Sequence, residues 1–345
     1  MKALVLTGIG GLDHVAVADI PEPPPPGPGE ALVGIHSAAL NRLDLFIAEG
    51  LKGITLELPH VIGSDGAGIV EQVGSDVSTV RPGDRVMIHP GISCGRCPAC
   101  TSGEDSLCSS FCVVGEHRSG TAAEYIVLPA QNLAPVPPAM PWDRAAAFSL
   151  ATLTAWRMLT TRARLIAGET VLIWGIGGGV AMAALQVAVL LGARAIVTSG
   201  SDDKLAVAAR EGATATINHS AADVPAEVKR LTGGLGADVV VDSVGEQTWQ
   251  KSQRSLRRGG RLVVCGATSG PHVSIDLRRL FWHQWNLLGS TLGNRREYAE
   301  IVRLVHEGKL WPVVDRSVPL ADGRSAVERL HRGEQTGKLV IEVAS

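Results

Sequence analysis

The spacing of apolar positions along the chain changes near residue 170. Before it, short aliphatic and β-branched runs at 1–6 (MKALVL), 31–37, 68–73, 84–88 and 123–128 are cut at close intervals by glycine and proline. Runs this short, bounded by turn residues, predict the strands of a β-rich, barrel-like unit. A proline-rich stretch at 21–29 predicts a stiff linker. From 170 onward the runs TVLIW, AIVTS, ADVVVDS and RLVVC alternate with helical stretches at 202–210 and 247–256. That alternation predicts a doubly wound parallel sheet, so the fold class is α/β with a β-rich front. The tail predicts a helix over 295–306 and a closing strand over 338–343. The longest apolar tract, 180–197, is interrupted by Gln186, Gly192 and Arg194. It predicts a buried helix running into a strand rather than a membrane span.

Composition narrows the function classes. A chain of 345 residues suggests two domains, each able to bury its own core. A net charge of −2 gives no electrostatic footprint for nucleic acid or for an anionic membrane surface. MKALVL has neither the apolar core nor the small-residue cleavage site of a signal peptide, so a reducing, cytoplasmic setting is expected.

Two motifs carry chemistry. Cys94, Cys97, Cys100 and Cys108 follow the pattern C-x2-C-x2-C-x7-C, which lets four thiolates converge on one tetrahedral zinc. Four cysteine ligands leave no open position, which is structural rather than catalytic coordination. The competing reading, a pair of disulfides, needs an oxidising compartment that nothing else suggests. Cys112 is a spare thiol that could replace Cys108 only by closing a longer loop. The second motif, Gly175-Ile-Gly177-Gly178-Gly179-Val180, stands between a predicted strand and an apolar helix. Glycines there allow a tight turn and let a pyrophosphate approach bare amides at the helix N-terminus. At the end of the second strand stands Ser199, where an NAD site usually carries an acid, and Lys204 follows one turn into the next helix. A hydroxyl and a cation suit a 2′-phosphate, so NADPH is expected over NADH, with His219 extending the pocket.

With these motifs the whole chain resembles the medium-chain dehydrogenase/reductase superfamily. The resemblance implies a GroES-like catalytic domain at 1–150 and 291–345, with a zinc lobe at about 91–112, and a Rossmann NADP-binding domain at 151–290. In the zinc alcohol dehydrogenases of that superfamily a second, catalytic zinc is held at places that here carry Asn41, Ser64, Asp65 and Leu150. Leucine cannot ligate zinc, and Asn and Ser are poor ligands without thiolate or imidazole companions. Leu43 stands where the proton relay would begin. The pattern, including Leu153-Thr154-Ala155-Trp156, is similar to the quinone oxidoreductase and enoyl reductase branch. By that resemblance Thr154 would touch the nicotinamide, and Gly266, Ala267, Thr268, Leu292, Gly293 and Asn294 would offer backbone groups to its carboxamide. A homodimer or homotetramer is implied as well.

The expected activity is NADPH-dependent reduction of a small electrophile, a quinone or an α,β-unsaturated carbonyl, without a catalytic metal. Asn41 is expected to donate its amide to the substrate carbonyl. Candidate pocket residues are Phe46, His60, Phe111, Trp282 and Trp285, while Cys265 reads as a small buried strand residue. Two other readings are a zinc alcohol dehydrogenase with unconventional ligands, through Asp65, and a non-catalytic NADPH-binding protein.

Overall fold

Strand Glu30–Ala39 buries Ala31, Val33 and Ile35 on one face, the period of two expected of a strand lying on a core. It is the hub of the first of two units, Met1–Ala151 together with the stretch from Asn294 onward. A computed structural model describes residues 1–51 and 53–344. Among these described residues the unit carries a seven-stranded sheet. Its order is Leu133–Pro135, Arg85–Ile88, Asp65–Val73, Glu30–Ala39, Lys338–Glu342 and Val314–Pro319, with Tyr125–Pro129 also pairing the hub. Leu4, Leu6, Ile62, Ile88, Leu128, Leu339 and Ile341 pack with the hub's inner face into one core.

Register places the chemistry. Ala39, at the end of the hub strand, faces Asp65 on one neighbour and Val340 on the other, both antiparallel. The pairing therefore carries Asn41, Asp65 and Lys338 to the same end of the sheet. Gly68 allows the hub and its neighbour to approach: a Cβ there would lie 2.0 Å from the Gly34 carbonyl oxygen.

The second unit, Thr152–Gly293, holds a parallel six-stranded sheet ordered Ala215–Asn218, Arg194–Ser199, Thr170–Ile173, Ala237–Asp242, Leu256–Val264 and Asn286–Gly289. Numbered along the chain this order is 3-2-1-4-5-6, the doubly wound arrangement. The central strands carry continuous buried apolar runs, Val171, Leu172 and Ile173 in one and Val239, Val240 and Val241 in its neighbour, as strands covered on both faces do. The expected helices lie at Asp202–Arg210 and Glu246–Ser255. The long apolar tract divides into helix Gly179–Leu190 and strand Arg194–Ser199, turning at Gly192 with φ 73°. Among the described residues no helix is long and apolar enough to cross a membrane. Helices Arg42–Glu49, Trp142–Trp156 and Leu277–His283 were not resolved by the periodicity.

Because the Gly68 contact is backbone against backbone, a methyl group cannot be accommodated by a side-chain rotation. Gly68→Ala is expected to lower stability by about 1–3 kcal/mol, read as a fall in thermal midpoint. An unchanged midpoint would mean that the strands do not approach this closely.

Candidate active site and metal centre

The cysteine lobe is built from local turns. Strand Gly91–Ile92 pairs with Cys112–Val113, and between them Gly95 (φ 72°) and Gly103 (φ 86°) reverse the chain around the short helix Pro98–Thr101. The sulfur atoms of Cys94, Cys97, Cys100 and Cys108 all lie within 4.8 Å of one another. A zinc–sulfur bond of about 2.3 Å implies tetrahedral edges of about 3.8 Å. The Cys94–Cys100 and Cys97–Cys100 separations are 3.9 and 3.5 Å, which fits one zinc. Backbone amides support the thiolates: Ser110 N–H donates to Cys108 Sγ, and the Arg96 and Cys97 amides hold the Cys94 thiol down to about 6. Cys112 lies outside this group, and burial raises its thiol.

Deeper in the same unit, Asn41, Asp65 and Leu150 meet as expected, around a residue the sequence did not flag. One Asp65 carboxylate oxygen accepts from the Leu150 amide at 2.7 Å. The other accepts from Asn41 Nδ2 at 2.9 Å and from Lys338 Nζ at 2.7 Å. Lys338 Nζ also donates to Asn41 Oδ1 at 2.5 Å. Asp65 is fully buried and Lys338 is 3% exposed. The first turn of helix Arg42–Glu49 locks Asn41 from behind, since Asp44 accepts from the Asn41 amide at 2.7 Å and from the Gly63 amide at 2.9 Å. Helix Trp142–Trp156, which carries Leu150, is anchored by a 2.9 Å hydrogen bond between Ser149 Oγ and Tyr298 Oη.

This geometry does not fit a catalytic zinc. Both Asp65 oxygens are occupied by donors, the Asn41 oxygen faces an ammonium, and Leu150 contributes only an amide N–H. A dication here would meet the fixed charge of Lys338 at close range in a buried setting, where like charges repel strongly. Leu43 packs against the hydrophobic core, as a relay group could not. The geometry also corrects the expected role of Asn41. Its Nδ2 is committed to Asp65 and, at 3.5 Å, to the Ala39 carbonyl, so it has no free donor for a substrate. The Ser64 hydroxyl is buried and without a partner among the described residues.

In the second unit the expected dinucleotide residues gather along the carboxyl edge of the parallel sheet, where open α/β sheets bind ligands. Gly175 (φ 69°) and Gly177 (φ 120°) make the turn. A Cβ at Gly178 would meet nothing nearer than the Gly175 carbonyl oxygen at 3.9 Å, so open space lies before the helix beginning at Gly179. No side chain caps that helix, which leaves its first amides available to a phosphate. Val180 follows within its first turn. These residues fit a nicotinamide dinucleotide.

At the neighbouring strand end Ser199 is buried, its hydroxyl accepting from the Ser201 amide at 3.1 Å. His219 reaches Thr198 Oγ1 at 3.4 Å, and burial lowers its pKa. Lys204 begins the adjoining helix turn, its amide donating to Ser201 Oγ. Asp202 is held by Asn218 Nδ2 at 2.7 Å.

Other expected contacts have internal partners. The Thr268 amide donates to the Ser243 carbonyl at 3.3 Å, and the Ala267 carbonyl accepts from Gly270, so that loop is laced to 243–245. Gly266 packs close to Ser243, where a Cβ would lie 3.2 Å from its carbonyl oxygen. Leu292 adopts φ 42° beside Gly293, a turn at the end of the last strand. The Asn294 side chain caps helix Arg295–His306 by accepting from the Glu297 amide at 2.9 Å, while the Asn294 backbone amide donates to the Glu297 carboxylate and its carbonyl accepts from the Tyr298 amide, so its backbone groups have partners at the helix start. Thr154 is buried on helix Trp142–Trp156. Trp285 lies in the second unit's core with Nε1 donating to the Arg257 carbonyl at 2.9 Å, and buried His60 engages the Gly115 carbonyl at 2.9 Å, so both are structural. Trp282 is exposed, and Phe46 and Phe111 are half-buried. Cys265 is half-buried just past strand Leu256–Val264 rather than a buried strand residue, and desolvation next to Asp242 pushes its thiol up to about 12.

Two predictions come from the first unit. Cys97→Ser is expected to release the lobe's zinc while leaving dinucleotide binding intact, checked by a colorimetric zinc-release assay beside a cofactor titration. Asp44 gives the second: burial, outweighing the amides of Asn41 and Gly63, raises its carboxyl to about 6. Its stability contribution is therefore fully present below the unfolded value near 3.9 and is lost as pH rises through 6, a change of about 3 kcal/mol. Urea titrations at both ends of that window should show the loss in the native chain and not in Asp44→Asn.

Comparison with known proteins agrees with this architecture. The family model described as "Alcohol dehydrogenase GroES-like domain" matches residues 27–138, and "Zinc-binding dehydrogenase" matches 179–307. A zinc-type alcohol dehydrogenase-like protein of Schizosaccharomyces pombe is 32% identical over 99% of both chains. A crotonyl-CoA reductase of Streptomyces avermitilis is 32% identical over 96% of this chain and 81% of its own. A crystal structure described as an NAD-dependent alcohol dehydrogenase superposes with a TM-score of 0.96 at 44% identity, covering 100% of both chains. The chain thus belongs to the medium-chain dehydrogenase/reductase superfamily, among its zinc-type alcohol dehydrogenase-like oxidoreductases.

Proposed function

We propose that the protein is an NADPH-dependent reductase of small electrophiles, quinones or α,β-unsaturated carbonyl compounds, that works without a catalytic metal. The observation that carries this reading is the saturation of Asp65 by Asn41, Leu150 and Lys338 at the place corresponding to the catalytic zinc of related alcohol dehydrogenases. When bound, the nicotinamide dinucleotide supplies the hydride. Alcohol oxidation needs something to lower the hydroxyl pKa from near that of water, and this donor set holds no Lewis acid to do so. A conjugated carbonyl is already electrophilic at its β-carbon, so the protein need only orient it, exclude water and stabilise the developing oxyanion. The similarity to a crotonyl-CoA reductase supports reduction of an activated C=C bond. The 44% identical NAD-dependent alcohol dehydrogenase favours the second reading, alcohol oxidation through an unconventional zinc.

The two readings separate in a turnover screen. Consumption of NADPH with quinones, enones or enoyl thioesters is expected, undiminished by chelators that leave the cysteine zinc in place. Oxidation of simple alcohols with NADP⁺ is expected to be negligible. Chelator-sensitive alcohol oxidation, with no enone or quinone turnover, would establish the second reading instead.

Coenzyme choice rests on Ser199, Lys204 and His219, where a hydroxyl stands in place of a ribose-binding carboxylate. A charge-assisted contact to the 2′-phosphate contributes about 1.5–3 kcal/mol, or roughly tenfold or more in affinity. Lys204→Glu is expected to erase most of the preference for NADPH over NADH, measured by fluorescence titration of both. Equal affinity for the two in the native chain would overturn the assignment.

A further inference from the structure

Between Cys100 and Cys108, three consecutive lobe residues lie on the start of helix Arg295–His306. The Gly103 amide donates to the Cys100 carbonyl and the Cys108 amide to the Asp105 carbonyl, so the metal ligands set the path of this segment. Gly103 sits so close to the helix that a Cβ would lie 2.5 Å from the Arg296 guanidinium carbon. Glu104 Oε1 accepts from Asn294 Nδ2 at 3.5 Å. Buried Asp105 accepts from the Arg295 amide at 3.1 Å, and its other oxygen lies 3.9 Å from Arg295 Nε. Carboxylates are favoured at a helix N-terminus, where the dipole is positive. The first turn of that helix carries Tyr298, which is buried and set edge-on to His89 with ring centroids 4.6 Å apart. His89 Nδ1 engages the carbonyl of Gly91, the first residue of the lobe's own strand pair, at 2.7 Å. The lobe therefore meets one helical turn twice, through Asp105 and through His89. From that turn Tyr298 Oη reaches Ser149 Oγ at 2.9 Å, one residue before the Leu150 amide that donates to Asp65.

We propose that Tyr298 is a positioning residue that couples metal occupancy of the cysteine lobe to the Asp65 cluster. Thiolates closing on the zinc order residues 103–105, which hold the first turn of the helix, and the turn aims Tyr298 at Ser149. That hydrogen bond in turn holds Leu150 against Asp65. Every contact in the series lies inside the first unit, and the coupling is independent of which reaction the protein catalyses. A series of packed contacts transmits an effect only where an element has two arrangements that both ends bias. The lobe is such an element, because a turn-rich segment without its ion loses the constraint that shapes it. Linkage makes the effect reciprocal: what zinc contributes to the Tyr298–Ser149 bond, that bond contributes to zinc affinity.

The test is hydrogen–deuterium exchange of the full-length, zinc-bound protein and three variants, read by mass spectrometry on peptides covering 146–151, 294–299 and 237–242. Cys97→Ser, which loses the metal, is expected to exchange about tenfold faster at 146–151 and 294–299, as loss of a hydrogen bond to a charged group would cause. Strand Ala237–Asp242 of the second unit is expected to stay native and serves as the control for general unfolding. Asp105→Ala keeps all four cysteines and cuts the hold on the helix, so it decides the matter if Cys97→Ser does not fold. It is expected to retain one zinc per chain and to show the same faster exchange. Tyr298→Phe is expected to loosen 146–151 and, by reciprocity, to weaken zinc binding about fivefold or more in competition with a chromogenic chelator. A purely structural tyrosine would leave zinc affinity unmoved. Native exchange at 146–151 in Asp105→Ala, or in folded Cys97→Ser, overturns the coupling, and native zinc affinity in Tyr298→Phe overturns the part assigned to Tyr298.

Discussion

A single buried carboxylate organises one end of the sheet in the first unit. Asp65 sits at the start of a sheet strand with no access to solvent, and an unpaired charge in such a place would be prohibitively costly. Its three donors come from three parts of the chain: the loop before helix Arg42–Glu49, the helix Trp142–Trp156 and the strand Lys338–Glu342. Satisfying Asp65 therefore fixes all three against one another. The reach is long, since Lys338 and Asp65 are 273 residues apart in sequence. Removing one partner while leaving the other charged is expected to cost about 3–5 kcal/mol.

The same arrangement supports the proposed chemistry. A dication held by thiolate and imidazole can acidify an alcohol, and an ammonium held by a carboxylate and an amide cannot do so to a comparable extent. Among the described residues, the group of cysteine, histidine and acidic side chains placed to hold a metal is the cysteine lobe. Four thiolates close the coordination sphere there, and the ion holds a turn-rich segment that has little core of its own.

Features encoded by neighbours in sequence were legible before the structure. The cysteine spacing, the glycine turn between strand and helix, and helices such as Asp202–Arg210 and Arg295–His306 depend on short-range pattern. The absence of zinc ligands at Asn41, Ser64 and Leu150 could likewise be read from residue type. Partnerships could not. Lys338 precedes an apolar run, and the sole signal was a charged residue opening a strand otherwise fit for the core. Its partners depend on strand register, which links Ala39 to both Asp65 and Val340. Asn41 was seen as a polar group at the right place, but only the fold shows that Asp44, three residues on, holds its amide while Asp65 and Lys338 consume its side chain. Asn294, with Glu297 three residues on, carries a helix-start signature, and the capping box it forms engages its backbone amide as well as its side chain.

The proposal without a catalytic metal stands or falls on whether the Lys338 ammonium, rather than a zinc ion, occupies Asp65 and Asn41. Crystals grown with excess zinc, with data collected on either side of the zinc absorption edge, test it most directly. The account predicts one anomalous peak per chain, surrounded by Cys94, Cys97, Cys100 and Cys108, and density for Lys338 reaching Asp65 and Asn41. A second peak within bonding distance of Asp65, with Lys338 displaced, would contradict it.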